Sequence, residues 1–585
     1  MTIFARQKEA LISMLNFNNA SSSVWKVLIY DNQAQLIISP LLKVNDLRLN
    51  GVTVNMNINS TRHQISDVPA IYFLLPSEEN IQKIAKDFSL NLYSEYYLNF
   101  LSPLPRSILE ALAKVSREQQ IEPIISQVYD QYLNFVCLDT NMFTFNLQKS
   151  YQILNSPNSN DSEIDQFVTK IANSVLITMK VLPIIRSPRG NSAAEMVASK
   201  LEGKLRDYLM NNRGTEFGGS VRPILLLLDR NLDFTSLLHH AWTYSTMVHD
   251  VFEMKFNRIN VITEDGKKKS YDIDPTDFFW EKYAGLPLPQ AAEECSQQIN
   301  QYKKDVDALT SSCGVESLEE VSGGTKNLQL AITQMPELTE RKRIIDMHMN
   351  IIVSLMNTVK ERQLDTFFSL EEQITRQTKS LVLDTLNDNS KSKEDKLRFF
   401  LIYFLSVEDI PKEDLMEYEK ILSESGCSTS SITYIKNVLA FTKMHSGSVS
   451  TSNSSGGGDL LGKFSSFGNK FIDVANNAGV TGGFENLISG VKNLVITKKN
   501  LPITRAVDNF MEGSNLQEFE DFSYFDAKLP KNQKSKSATA TAKNQTFSEG
   551  KVSVFGLYLI ILAIVFVVGG GNYFEYQNLM DYAVS

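Results

Sequence analysis

Apolar residues recur along this chain with two different spacings, and the change from one to the other marks its parts. Near the N-terminus, residues 24–30, 52–58, 70–75 and 96–101 are short apolar runs that predict strands. Residues 78–88 and 106–117 instead place apolar side chains three and four apart and predict helices. Strands and helices in alternation predict a parallel sheet covered on both faces. A second α/β unit opens with a helix predicted over 161–181 and centres on residues 222–252, RPILLLLDRNLDFTSLLHHAWTYSTMVHDVF. Residues 224–228 are continuously apolar and closed by Asp229, as a strand buried on both faces should be. After a polar turn, Leu238, Ala241, Trp242, Ser245, Val248 and Phe252 predict a single helix. Beyond about residue 252 the spacing is helical: 290–309, 326–335, 339–362, 393–405 and 430–442 predict the main helices.

Candidate chemistry gathers where the central strand ends. Asp229 and Asp233 lie at its carboxyl end, the usual ligand position in open α/β sheets. The residues do not complete an enzyme, however. Asp229, Arg230 and Asp233 also suit an ion-pair and helix-capping cluster, and that structural reading outweighs catalysis. His239, His240 and His249 lack the spacing of a helical metal site and read as interhelical or surface histidines. No G-x-G-x-x-G follows the first strand, and no Lys-Ser/Thr follows Gly569, Gly570 and Gly571, so both nucleotide motifs fail.

Composition narrows the classes further. At 585 residues the chain exceeds one core, and two to three domains are expected. The net charge of −9, with no basic run longer than residues 267–269, argues against nucleic acid as a partner. Cys137, Cys295, Cys313 and Cys427 form no C-x-x-C pair, which points to reduced thiols rather than a disulfide framework or zinc. Residues 1–15 read as a short amphipathic helix without a signal peptide's apolar region. Residues 552–568 carry no charge and reach the length of a marginal tail anchor. The glycine turn that follows favours a strand there instead.

The pattern of apolar strand, D-R-x-x-D and a helix bearing H-x-W-x-Y resembles the signature of the Sec/Munc (SM) family. WKVLIYD at 25–31, VNDL at 44–47, DVPAIYFLL at 67–75, VYDQYL at 128–133 and VVGGGNYFEYQNL at 567–579 are similar to its Sly-type ER–Golgi branch. The resemblance implies an α/β fold with a large, mainly helical insertion: a three-domain arch of two parallel-sheet α/β domains and one helical domain. The domains would be 1–148, binding a syntaxin N-peptide; 149–252 with 505–585; and 253–504. It further implies a cytoplasmic, non-enzymatic protein, peripherally associated with ER and Golgi membranes, without cofactor or metal. Its partners would be a syntaxin-type Qa-SNARE of the ER/Golgi and its SNARE complex, an R-SNARE and tethering complexes. Its function would be to promote SNARE assembly for vesicle docking and fusion. An α/β enzyme at Asp229/Asp233 and a tail-anchored scaffold are the rival readings.

Three working surfaces are expected. Leu109, Leu112 and Ala113 share one helix face; the resemblance makes them, with Ile125 and Val128, a pocket for the syntaxin N-peptide. Ile344, Ile345, His348, Ile351, Ile352, Leu355 and Val359 form an apolar stripe that spacing alone reads as core. The resemblance makes this region, with Pro336 and Leu338, a helical hairpin at about 326–362 that aligns two SNARE helices; proline stops one helix and lets another begin, so Pro336 at its turn would act as a hinge. The Ser/Gly/Asn-rich stretch of about 446–495 predicts a mobile insert. In it Leu460, Leu461, Phe464, Phe467 and Phe471 fall along one face opposite weakly polar residues, as in helices that sense lipid packing. The resemblance implies a regulatory loop that covers the SNARE groove and touches vesicle membrane. Residues 550–562 depart from the family pattern and are expected to be a retained intron, with a second unspliced donor ending the chain early.

Overall fold

The computed structural model describes residues 2–16, 25–156, 158–178, 182–190, 192–211, 222–262, 266–313, 327–407, 410–447, 500–512, 521–528 and 563–584. The chain forms two compact units. One comprises residues 1–232, 274–276 and 502–571, the other residues 233–273, 277–501 and 572–585.

The first unit holds both principal sheets. Strands β1 (Lys26–Tyr30), β2 (Val52–Asn57), β3 (Ala70–Leu74), β4 (Tyr96–Phe100) and β5 (Ile125–Asp130) form a parallel sheet of order β2-β1-β3-β4-β5. Every residue of β3 and β4 is buried, which is why both strands read as apolar runs. Asp31, just past β1, joins three elements. One carboxylate oxygen accepts the Ala34 N–H at 2.8 Å and caps the Asn32–Leu41 helix; the other accepts the Leu75 N–H at 2.7 Å and the Asn80 side-chain amide at 3.0 Å. β5 escaped the sequence pattern, because ISQVYD is an edge strand with an exposed, largely polar outer part.

The second sheet contains β6 (Ile184–Pro188), β7 (Ile224–Asp229), β8 (Phe522–Phe525) and β9 (Ala563–Val568), in the order β8-β6-β7-β9. β9 runs parallel to β7 in continuous register from Ala563↔Ile224 to Val568↔Asp229. The end of the uncharged run is therefore sheet. β8 is antiparallel to β6, so an otherwise parallel sheet carries one antiparallel edge. Gly569 leaves β9 at φ 106°, and a Cβ there would lie 2.8 Å from the Arg230 Cβ. Only glycine permits that approach.

The second unit is mainly helical. Its core includes Phe367, Val382, Leu386, Phe399, Phe400, Ile402, Tyr418 and Leu422. Two expectations are corrected within it. The helix predicted after the D-R-x-x-D turn is two short helices, Thr235–Leu238 and Tyr244–Val251, separated by an extended linker. The linker's main chain is bonded elsewhere: the His240 N–H donates to Glu371, the Leu288 N–H to the Trp242 carbonyl, and the Tyr244 N–H to the Leu286 carbonyl. Those partners take the place of helical bonds at His240, Trp242 and Tyr244. Nor is there a turn at Pro336. One helix, Asn327–Arg362, runs through it. A proline removes one internal hydrogen bond and crowds the preceding turn; the anchored stretch that follows it holds this helix together.

Candidate N-domain pocket and the buried helical stripe

The Arg106–Glu118 helix lies against β5. It sends Ile108 and Leu112 into the core of the first sheet while Leu109 remains 47% exposed. At its end Gln120 adopts φ 54° and reverses the chain, and the Ile121 N–H returns to the Ser116 carbonyl at 3.0 Å. The strand that follows carries a bulge. Tyr96 pairs with Ile125 and Tyr97 with Gln127, leaving Ser126 as the extra residue. Strict alternation would put Ile125 and Val128 on opposite faces. The extra residue places both beside Tyr96 and Leu98, on the face that the helix covers. The Ser126 hydroxyl donates to Glu95 at 2.9 Å, and Glu95 also accepts the Tyr97 hydroxyl at 2.6 Å.

Helix and bulged strand enclose a cavity of about 460 Å³ lined by Leu109, Leu112, Ala113, Ser116, Arg117, Glu122, Ile125 and Val128. All five residues expected for the pocket meet there. Ser116, Arg117 and Glu122 were not anticipated, although Ser116 continues the helical spacing seven positions after Leu109. Arg117 and Glu122 supply opposite charges at an otherwise apolar rim. Arg106–Glu110, at 2.8 Å, and Lys114–Glu118 are exposed ion pairs of the same helix.

The stripe expected to face SNARE helices points inward. Ile345, His348, Ile351, Ile352, Leu355 and Val359 are at most 2% exposed. Leu338 and Ile344 are half-buried, and Pro336 is exposed. The long helix packs against the Leu288–Cys313, Tyr244–Val251 and Phe278–Tyr283 helices. His348 Nδ1 lies 2.8 Å from the Tyr244 hydroxyl and Nε2 lies 3.1 Å from Asp277, while the ring stacks on Phe279. Asp277 in turn accepts the Phe279 and Trp280 N–H groups at a helix start. The stripe is core in this conformation because neighbouring helices cover it.

Asp229 and Asp233 act as main-chain acceptors. Asp229 accepts the Asn231 N–H at 2.9 Å and those of Ala193 and Ala194 at the start of the preceding Ala193–Asn211 helix. Burial pushes its carboxyl up, and these bonds oppose the rise. Asp233 accepts the N–H groups of Thr235 and Ser236 and the Ser236 hydroxyl. The cluster therefore closes turns. His240 is not a surface histidine: it is 2% exposed, between Glu371 and Asp395. Neither acid could be assigned to it from sequence, being 131 and 155 residues away.

Among the described residues, no group of three His, Cys, Asp or Glu is placed to hold a metal. No helix among them is long and apolar enough to cross a membrane. Leu460, Leu461, Phe464, Phe467 and Phe471, and the 550–562 stretch, lie outside the described residues.

The sequence model of the Sec1 family matches residues 26–584. "Protein sly1" of Schizosaccharomyces pombe is 42% identical over 581 residues, covering 96% of this chain and 88% of that protein. "Sec1 family domain-containing protein 1" of Mus musculus is 40% identical over 630 residues, covering 99% and 93%. The crystal structure of Sly1p in complex with an N-terminal peptide of Sed5p matches with a TM-score of 0.78 at 33% identity, covering 100% of this chain and 94% of that one. The SM protein Vps45 in complex with the Qa SNARE Tlg2 matches at a TM-score of 0.72 and 16% identity, a likeness of fold. This chain belongs to the Sec1 family, in its Sly-type branch.

Proposed function

We propose that this protein binds the N-terminal peptide of an ER–Golgi syntaxin, a Qa-SNARE, and promotes SNARE assembly for vesicle docking and fusion. The cavity between the Arg106–Glu118 helix and β5 carries the reading. It offers one apolar recess, floored by Leu112 and opened by exposed Ala113 and half-exposed Leu109 and Val128. A recess of this kind receives a single bulky apolar anchor, while the charged rim sets the flanking residues. Residues 1–148 are the peptide-binding domain in this reading; 149–252 with 505–585 support it, and 253–504 carry the SNARE-aligning helices. Ile345, His348, Ile351, Ile352 and Leu355 act from inside by holding the long helix in place. Pro336, Leu338 and Ile344, at its less buried end, meet the partner. Aligning two disordered chains prepays part of their ordering entropy, so no bond needs to be made or broken. The protein works at the cytosolic face of ER and Golgi membranes.

Calorimetric titration of the full chain with the Sed5p N-terminal peptide tests the pocket. The wild type is expected to bind, and Leu109→Lys to lower affinity about tenfold or more, as loss of an anchor contact does. Equal affinity in the two proteins would remove the pocket from the mechanism.

A further inference from the structure

The signature linker between the Thr235–Leu238 and Tyr244–Val251 helices is held by a buried charge cluster that peptide recognition does not use. His240 stacks on Phe367 with ring centroids 5.0 Å apart. Its Nδ1 lies 2.5 Å from Glu371 Oε1, and its Nε2 lies 3.1 Å from Asp395 Oδ1. The His240 main-chain N–H donates to the second Glu371 oxygen at 2.8 Å, and His239 Nδ1 lies 3.2 Å from that same oxygen. Asp395 also accepts the Arg362 guanidinium through both its oxygens and the Ser392 hydroxyl at 2.6 Å. Arg398 donates to the Leu238 and His239 carbonyls and pairs with Asp250 at 3.0 Å. Glu394 adds its field to Arg362 from the solvent side.

Hydrogen-bond chemistry decides the state of His240. An ionised carboxylate only accepts, and a neutral imidazole has one donor. Both ring nitrogens can therefore be satisfied together only when both carry protons. Protonating a carboxylate instead is opposed on each side: Arg362 favours the Asp395 anion, and the His240 main-chain N–H favours the Glu371 anion. With the imidazolium present, three cations (His240, Arg362, Arg398) face the three carboxylates they touch (Glu371, Asp395, Asp250), and Glu394 adds further negative charge from the solvent side. Losing that proton leaves a buried excess of negative charge and one nitrogen facing a carboxylate with no hydrogen between them. Both are costly.

We propose that His240 is a proton-dependent latch, fastening the linker to the Leu364–Glu372 and Lys393–Ser406 helices and releasing it when that one proton leaves. Burial by itself pushes the imidazolium down. The Glu371 charge and the bonds to Asp395 and Glu371 outweigh burial and hold the group above its ordinary 6.5. Glu371 responds in the opposite sense. Burial raises it, but the His240 charge and the bonds from both histidines bring it to about 2, against an ordinary 4.5. The His240 contribution is therefore complete below pH 6.5 and fades as pH rises through the raised value. That of Glu371 is complete above pH 4.5 and fades as pH falls towards 2.

Hydrogen exchange of the full chain, read by mass spectrometry from about pH 6 to 9.5, tests the latch at amides and at the histidine C2 position. Amides of residues 239–244 are expected to lose protection by about tenfold or more as His240 titrates, beyond the intrinsic effect of pH, while β3 stays protected. His240→Gln should exchange fast in this linker at every pH, and Glu371→Gln should move the transition down by about one pH unit. A wild-type linker whose protection ignores pH, or a His240 that titrates at or below 6.5, overturns the inference. The wild-type titration decides it even if a variant fails to fold.

Discussion

Two helices with the same kind of apolar stripe end in opposite uses. In Arg106–Glu118 the stripe meets the first sheet and the neighbouring Glu78–Ser89 helix. Ile108 and Leu112 are consumed by those contacts, and Leu109 and Ala113 are left at the rim beside β5. In Asn327–Arg362 several helices surround the stripe and nothing from Ile345 to Val359 on that face is left over. A periodic apolar face tells which side of a helix seeks cover. The number of elements that arrive to cover it decides whether any remains to bind something else.

Truncation in the covered stripe tests the contrast most strongly. Leu355 is 0% exposed, so Leu355→Ala should cost about 3 kcal/mol in urea unfolding of the second unit, with Sed5p-peptide affinity unchanged. A cost below about 1 kcal/mol would mean that the stripe opens readily and that the two helices differ less than their burial suggests. Leu109→Lys, the variant that should weaken peptide binding, is expected to change stability by no more than about 0.5 kcal/mol, because Leu109 is already half in solvent. A large loss of stability would reassign the pocket to the core. Arg106→Ala removes an ion pair whose side chains are 91% and 64% exposed. Neither its unfolding midpoint nor its peptide affinity should move beyond about 0.5 kcal/mol, since solvent screens such pairs. A measurable loss of affinity would extend the rim of the pocket to this end of the helix.

The candidate pocket was partly legible. Spacing put Leu109, Leu112 and Ala113 on one face, and resemblance supplied Ile125 and Val128. What no periodicity shows is the extra residue at Ser126, which turns two positions of opposite parity onto one face. The break in the signature helix was equally hidden. Trp242, Ser245 and Val248 keep helical spacing, yet Leu286, Leu288 and Glu371 hold their neighbourhood in an extended linker. Pro336 misled in the other direction: proline chemistry marks a helix end, and here burial further along the helix outweighs one missing bond.

Local spacing and residue type were enough to determine the parallel strands β1, β3, β4 and β7, the helices between them and the class of the fold, because side-chain direction repeats with backbone geometry. They also carried the motifs that place the chain among its relatives. Only the tertiary structure decided which apolar faces stay open, where β5 bulges and which acids enclose His240. The acids lie 131 and 155 residues from His240, and even the bulge's partner at Glu95 is 31 residues from Ser126, so short-range periodicity holds no record of them.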